Sequence, residues 1–438
     1  MLRPHPFLAT AAAGRARRVR VGVGIGIGVG LAWAALGAWR SVNALGAEPP
    51  GGTLSGAVRA PASRPGDPVA GASAADLERF ARGRTTFERA HTVATGLGPV
   101  FNEVGCNRCH NRRGVGGAGI QSAVLAGRLH DGVFDPLLAQ GGPHVASATV
   151  TLDAPTEVRR LIPHCKLSRD GEPVPRDANV IARRRTTALF GLGLVDATAD
   201  ETFSAIARAQ PRSIRGRPAR VQNRATGATS VGKFGWKAQV PTLHQFSGMA
   251  LSIEMGITNP EFAAEQPPLG DASLLSACDL VPQLEDDGEG VRRLTEFMQL
   301  LAPIPPLPQT PEARQGDALF TEVGCDGCHV RRIISGSSPI PALSQRKYAP
   351  FSDFLLHDMG SLGDNIGGEG EAAPREMRTA PLWGGHLSGS SRLLHDGRAK
   401  SFTEAIEAHD GQGAAARDAF SRLSGDQRQH LLAFLATL

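Results

Sequence analysis

Two copies of the pentapeptide Cys-x-x-Cys-His, Cys106 to His110 and Cys325 to His329, constrain this 438-residue chain more than any other feature. Each lies in a short repeat. Phe101-Asn-Glu-Val-Gly-Cys106-Asn-Arg-Cys109-His110 aligns without gaps on Phe320-Thr-Glu-Val-Gly-Cys325-Asp-Gly-Cys328-His329, with seven of ten positions identical. The spacing is the attachment signature of c-type haem. The two thiols add to the vinyl groups of the macrocycle, and the adjacent His is then held beneath the iron as its fifth ligand. A zinc site would have to unite pairs 219 residues apart and would not need a His at the same offset in both. A thioredoxin-like pair would need a βαβ pattern, and neither copy has one. The expected cofactors are two covalently attached c-type haems. Cys106, Cys109, Cys325 and Cys328 would anchor them, with His110 and His329 as axial ligands of the iron.

Covalent attachment of this kind goes with export, and the N-terminus carries an export pattern. Val21 to Trp39 is a nineteen-residue run without a charge, preceded by an Arg cluster and followed by Ala44-Leu45-Gly46-Ala47. Six of the nineteen residues are Gly, which lowers helix propensity and hydrophobic drive. A cleaved signal peptide and an uncleaved membrane anchor both remain open. Either leaves the Arg cluster inside and exports the body, so the expected location is the periplasm. The same segment accounts for the basic balance of the chain. Residues 1–40 hold six Arg and no acidic residue, so removing them from the formal charge of +5 leaves the rest at −1. The body therefore offers no general basic face, and no nucleic-acid partner is implied.

Aromatic residues make up only 5% of the chain, with one Tyr and four Trp, although aromatic rings usually supply much of a core's buried area. Two large flat macrocycles would answer that shortage. Cys165 and Cys278 are left over from the motifs. In an oxidising compartment an even remaining pair is most often a disulfide, with two inert buried thiols as the alternative. Thiol oxidation finds no support in the residues, because the other four Cys are consumed by haem.

The organisation follows from composition and period. Residues 1–47 are the signal or anchor, and 48–72, rich in Pro, Gly and Ala, read as a linker. Residues 73–301 form an N-terminal haem domain with a large insertion. It opens on a helix capped by Ser73 and Asp76, with Leu77, Phe80 and Phe87 expected on its inner face. Residues 302–308, APIPPLP, read as a Pro-rich linker, and 309–438 as a C-terminal cytochrome c domain. The chain closes on a helix with Ser424 and Gln427 as capping box and Leu431, Leu435 and Leu438 along one face. Few β-branched alternating runs occur, so the expected fold is mainly α, two cytochrome c-like haem domains with the N-terminal one enlarged.

From Leu77 to Leu438 the chain resembles the di-haem oxidoreductases, a family also labelled thiol oxidoreductases or peroxidases and related to bacterial di-haem cytochrome c peroxidases. The resemblance is carried by Gly98-Pro-Val-Phe-Asn102, Phe190-Gly-Leu-Gly-Leu194, Phe234-Gly-Trp-Lys-Ala-Gln-Val240 and Glu254-Met-Gly-Ile-Thr258. Leu355-Leu-His-Asp-Met-Gly360, Arg378-Thr-Ala-Pro-Leu-Trp-Gly384 and Leu394-His-Asp-Gly-Arg398 extend it. In di-haem peroxidases a motif similar to His395-Asp396-Gly397 precedes the sixth ligand, normally Met, by fourteen residues. Here the residue fourteen positions after His395 is His409. Phe402, Ala405, Ile406 and His409 keep a helical period that would aim His409 at the iron. Met359 is the rival ligand and His357 the third choice. A His in place of Met lowers the reduction potential, which departs from the high-potential electron store of those peroxidases.

For the N-terminal haem, His130, His144 and His164 are available to the distal side, and no distal base is identifiable. If none coordinates, that iron is open and is the reactive one, as in the relatives. The resemblance also implies Trp236 as an aromatic bridge between haems, and Trp236 and His395 are the only candidates for catalytic roles. The leading reading is an exported di-haem c-type oxidoreductase with peroxidase-like chemistry at the N-terminal haem. Its partners would be a redox protein or a small oxidant such as peroxide, with a membrane involved only through the N-terminal anchor. The alternatives are a pure electron-transfer cytochrome with both haems six-coordinate, and a haem-dependent oxygenase.

Overall fold

Ser73 begins the described structure's first helix as its sequence suggests. Its hydroxyl accepts from the Asp76 backbone N–H at 3.1 Å, and the Asp76 carboxylate accepts from the Ser73 N–H at 3.0 Å. The computed structural model describes residues 64–152, 156–388 and 392–438. The N-terminal segment read as signal or anchor, and most of the linker after it, lie outside the described residues. No helix among the described residues is long and apolar enough to cross a membrane.

Helix α1, Ala74–Glu88, buries Phe80, Gly83 and Phe87 against α2, Glu289–Leu300. Phe297 of α2 sits between the two Phe rings, with centroids 5.1 and 4.8 Å away. Gly83 permits the approach, because a Cβ there would fall 2.4 Å from the Arg293 carbonyl oxygen. Leu77, expected on the inner face, is instead 44% exposed. The crossing runs through positions 80, 83 and 87, which leaves the first-turn leucine on the helix edge.

The insertion is more β than its sequence suggests. A strand from Ser122 to His130 pairs antiparallel with Val133–Asp135, with His144–Val145 and with Val180–Arg185. Leu125 and Ala182, opposite each other, are buried with Ile366 in a small satellite core. The architecture is thus helices with small antiparallel sheets.

The larger core spans residues from Phe80 to Leu355. Ile333, Ile340, Leu343, Tyr348 and Phe354, all beyond the Pro-rich segment, belong to it. A second core gathers Phe320, Phe351, Phe420, Leu431, Phe434 and Leu435 where α3, Pro311–Glu322, crosses α4, Gly425–Leu435. The Ser424 and Gln427 capping box forms at the start of α4. The Pro-rich segment between these regions is docked. Ala302 donates to the Asp67 carbonyl at 3.0 Å, Ile304 is buried, and Leu307 donates to Thr437 at 2.7 Å. Val69 likewise donates to Leu300 at 2.7 Å, so the described end of the upstream linker is also held. All the described residues fall in one compact unit.

Cys165 and Cys278 form a disulfide with Cα atoms 4.7 Å apart, closing 113 residues. Their joint replacement by Ser should destabilise the protein by about 5 kcal/mol through the chain entropy of the released loop. A lowered urea midpoint in the double variant checks this. His91 offers a second test. It is 9% exposed, and its Nδ1 lacks a partner. Burial, reinforced by the charge of Arg89, pushes its pKa down to about 4. The unfolded chain titrates this group near 6.5. Stability is therefore full above that value and falls as the pH drops towards 4, by up to about 3 kcal/mol. His91→Leu should flatten this part of the acid limb when urea unfolding is compared at neutral and mildly acidic pH.

Candidate functional site

Each Cys-x-x-Cys-His is wound as one helical turn that returns its His beside its first Cys. His110 donates its backbone N–H to the Cys106 carbonyl at 2.9 Å, and His329 does so to Cys325 at 3.0 Å. The C-terminal copy follows α3 through Gly324, whose φ of +85° makes the left-handed turn that glycine accommodates. The four cysteines of the motifs are not disulfide-bonded and are partly buried. Burial pushes the thiols of Cys106, Cys109 and Cys325 up to about 12, favouring the protonated form.

Both motif imidazoles are oriented in the same way. His110 donates from Nδ1 to the Thr187 carbonyl, and His329 from Nδ1 to the Phe351 carbonyl, each at 2.9 Å. That fixes the ring and leaves Nε2 as the free lone pair, as metal-ligating His requires. Burial holds both pKa values down to about 4, so both rings are neutral and able to ligate.

A second imidazole faces His329. The ring centroids of His329 and His409 lie 6.5 Å apart. An ion bonded to one nitrogen of each ring at about 2 Å, with about 1 Å more to each ring centre, requires roughly 6 Å. The spacing of the pair is therefore compatible with one metal ion held between the two rings. His409 too has its Nδ1 occupied, donating to the Ala405 carbonyl at 2.7 Å, and burial lowers its pKa. It does not lie on the expected helix itself. That helix, Phe402–Glu407, is capped by Ser401 and ends before His409, whose N–H reaches back to Ile406 at 3.1 Å. Met359 is close by. A Cβ built on Gly413 would meet His409 at 3.1 Å and the Met359 Cε at 3.3 Å, so both side chains converge on this glycine.

His357 has other partners. It is 2% exposed, its Nε2 is 2.9 Å from the Asp353 carboxylate and its Nδ1 is 3.7 Å from the Cys328 sulfur. Each ring nitrogen of His357 therefore has a partner within the protein. Asp353 also accepts from the Gln210 amide at 2.7 Å, and the same amide nitrogen donates to the Gly327 carbonyl at 2.7 Å. Gln210 and Asp353 carry no motif signature, and sequence reasoning missed them. The one available signal is a polar pair inside apolar surroundings, and it becomes visible only when burial is known.

Among the described residues the N-terminal motif has no counterpart of His409. The ring packed on His110 is Phe87, at 6.2 Å between centroids, and no second imidazole pairs with it among the described residues. His130 is exposed beside Asp131, and His164 is also exposed. His144 is half-buried in a short strand opposite Leu125, and burial lowers its pKa. Trp236 and His395 are brought together, edge to face with centroids 6.2 Å apart. The Trp236 indole donates to the Arg185 carbonyl at 3.3 Å, and Arg185 donates its N–H to the His395 carbonyl at 2.7 Å. Arg185 lies two residues before Thr187, so this pair is tied to the segment that orients His110. His395 is 5% exposed, and burial lowers its pKa.

The family model described as "Di-haem oxidoreductase, putative peroxidase" matches residues 174–438, a span that includes the C-terminal motif and begins after the N-terminal one. No curated protein matches the chain significantly. Among solved structures, hydrazine synthase of Kuenenia stuttgartiensis is similar at 15% identity over 90% of this chain and 100% of that chain, with a TM-score of 0.38. A MauG-like protein associated with microbial copper homeostasis is similar at 15% identity over 57% and 89% respectively, with a TM-score of 0.29.

The buried Asp353–His357 pair makes a testable claim. Burial opposes the charge on His357, but Asp353 outweighs it and raises the pKa well above the ordinary value. A raised value means that the stabilisation is full below about 6.5 and is lost as pH rises through the folded-state pKa. Asp353→Asn should cost roughly 3 kcal/mol in the acid range. The deficit should shrink as the pH rises, read from thermal unfolding across the neutral and alkaline range.

Proposed function

The chain belongs to the di-haem oxidoreductase family, and from that premise we propose an exported enzyme that carries two c-type haems with unequal axial ligation. Cys106 and Cys109 would hold one and Cys325 and Cys328 the other, with His110 and His329 as the fifth ligands. The observation that carries the proposal is the asymmetry between the motifs. His329 faces His409 at a ring spacing of 6.5 Å, whereas His110 has no imidazole opposite it among the described residues.

When bound, a haem ligated on both sides supplies electron storage, and one with an open position supplies activation of peroxide or another small oxidant. The residues divide this labour. His409 closes the C-terminal site, and the Nδ1 bonds of His329 and His409 keep both rings in the ligating orientation. At the N-terminal site the Thr187 carbonyl holds His110 while Phe87 covers the ring and excludes water. Trp236 supplies an aromatic surface tied to the Arg185–Thr187 segment, a suitable element for passing electrons between the sites. His395, kept neutral by burial, is the side chain we assign to accept a proton beside Trp236. The Cys165–Cys278 disulfide and the Arg-led apolar N-terminal segment support a periplasmic location. A redox protein would then deliver or remove the electrons.

The spin states of the two irons test the reading. The resting protein should show one low-spin haem and one high-spin haem that reacts with peroxide. His409→Ala should convert the C-terminal haem to a form that binds added cyanide, whereas Met359→Leu should leave it unchanged. A wholly low-spin protein inert to peroxide would instead identify an electron relay.

A further inference from the structure

Four arginines meet around one pocket beside the N-terminal motif. Arg112 and Arg113 follow His110 by two and three residues, Arg185 precedes Thr187 by two, and Arg392 comes from the C-terminal part of the chain. Ala188 and Phe190 supply apolar wall. No lining residue is acidic, and among the described residues none of the four arginines forms an ion pair.

The partners they do have are neutral. Arg113 donates to the Leu387 carbonyl at 3.2 Å, Arg185 to the Arg392 carbonyl, and Arg392 to the Ser122 hydroxyl at a long 3.4 Å. The buried Nε of Arg392 has no partner. Burial, and then the neighbouring charges of Arg392 and Arg112, lower the pKa of Arg185, as expected where like charges are held together. Arg112 and Arg113 are exposed and Arg185 and Arg392 half-buried, and two fully buried cations elsewhere show the usual alternative. Arg184 meets Asp364 at 2.8 Å, and Lys237 meets the same carboxylate at 2.8 Å. A cluster of guanidinium groups left without a carboxylate, next to an apolar wall, matches the planar, two-pronged geometry by which arginine grips a carboxylate.

We propose that this pocket is a carboxylate-binding site. Two sources have the right chemistry, the propionates of the N-terminal haem and a free dicarboxylate that docks beside it. The first source rests on the haem reading given above, and the second does not.

The test uses the full-length, haem-loaded protein with Arg185→Gln, Arg392→Gln and Arg185→Lys. Each haem is titrated for its reduction potential across pH 5–8, and thermal unfolding is followed with and without succinate. If the propionates occupy the pocket, the Gln variants lower the potential of the N-terminal haem and give it a new pH dependence. The C-terminal haem stays unchanged, Arg185→Lys recovers part of the loss, and succinate has no effect. If a free dicarboxylate is the ligand, succinate raises the unfolding temperature of the wild type and lowers its N-terminal potential, and the Gln variants weaken this response at least tenfold. Folded Gln variants that keep the wild-type potentials and pH profile, in a protein indifferent to succinate, would overturn the proposal. A pyridine haemochrome assay finding fewer than two c-type haems would overturn the haem reading instead. The succinate response would still decide the pocket.

Discussion

Thr187 and Phe351 each accept the Nδ1 proton of a half-buried imidazole, and neither is a sequence neighbour of the His it holds. The first contact spans 77 residues and the second 22. Because these bonds decide which nitrogen of each ring is free, the rest of the site depends on the segments that carry the two carbonyls. The Thr187 segment is pinned on both sides. Thr186 donates to Gln121 at 3.1 Å, and Leu189 donates to Gly116 at 2.8 Å. The loop that receives it runs so near the motif that a Cβ on Gly119 would lie 2.0 Å from the Cys109 carbonyl oxygen. Glycine is required there by contact, whatever its backbone angles.

The two halves of the site differ in what they add to this shared frame. At the C-terminal motif the addition is a second imidazole and a neutralised buried pair. His357 stands between Asp353 and the Cys328 sulfur, so each of its ring nitrogens has a partner. At the N-terminal motif the additions are an aromatic cover and a set of positive charges without acidic partners. Burying charge is costly unless it is paired, and the buried cations Arg184 and Lys237 obey that rule around Asp364. In the arginine pocket Arg185 and Arg392 are half-buried and Arg112 and Arg113 exposed, with no carboxylate beside any of them, which leaves room for an anionic ligand to complete the site.

Local chemistry was legible wherever a few adjacent residues decide the outcome. The capping boxes at Ser73 and Ser424 form as the sequence suggests, because each needs only a hydroxyl and a side chain three residues on. Position on a helix face was less legible. Leu77 shares the helical period of Phe80 and Phe87, but the angle at which α1 crosses α2 exposes it. The strand Ser122–His130 escaped notice because its residues do not alternate cleanly between apolar and polar, and its pairing with Val180–Arg185 is long-range. The Pro-rich segment has the composition of a spacer, yet the N–H groups of Ala302 and Leu307 bond to Asp67 and Thr437, near the two ends of the described structure.

By itself the sequence determined the chemistry that travels with covalent neighbours: two Cys-x-x-Cys-His motifs, each with two thiols and an adjacent histidine. Each needs only one turn of backbone to bring its groups together. The resemblance to di-haem peroxidases, more than the sequence alone, nominated His409 by its distance from His395-Asp396-Gly397. Only the tertiary structure decided which imidazoles face each other, that His357 belongs to Asp353, and that four arginines from three distant segments share one pocket. Such relations depend on crossing angles and long-range backbone bonds, which are properties of the packed chain and leave no local trace in the order of its residues.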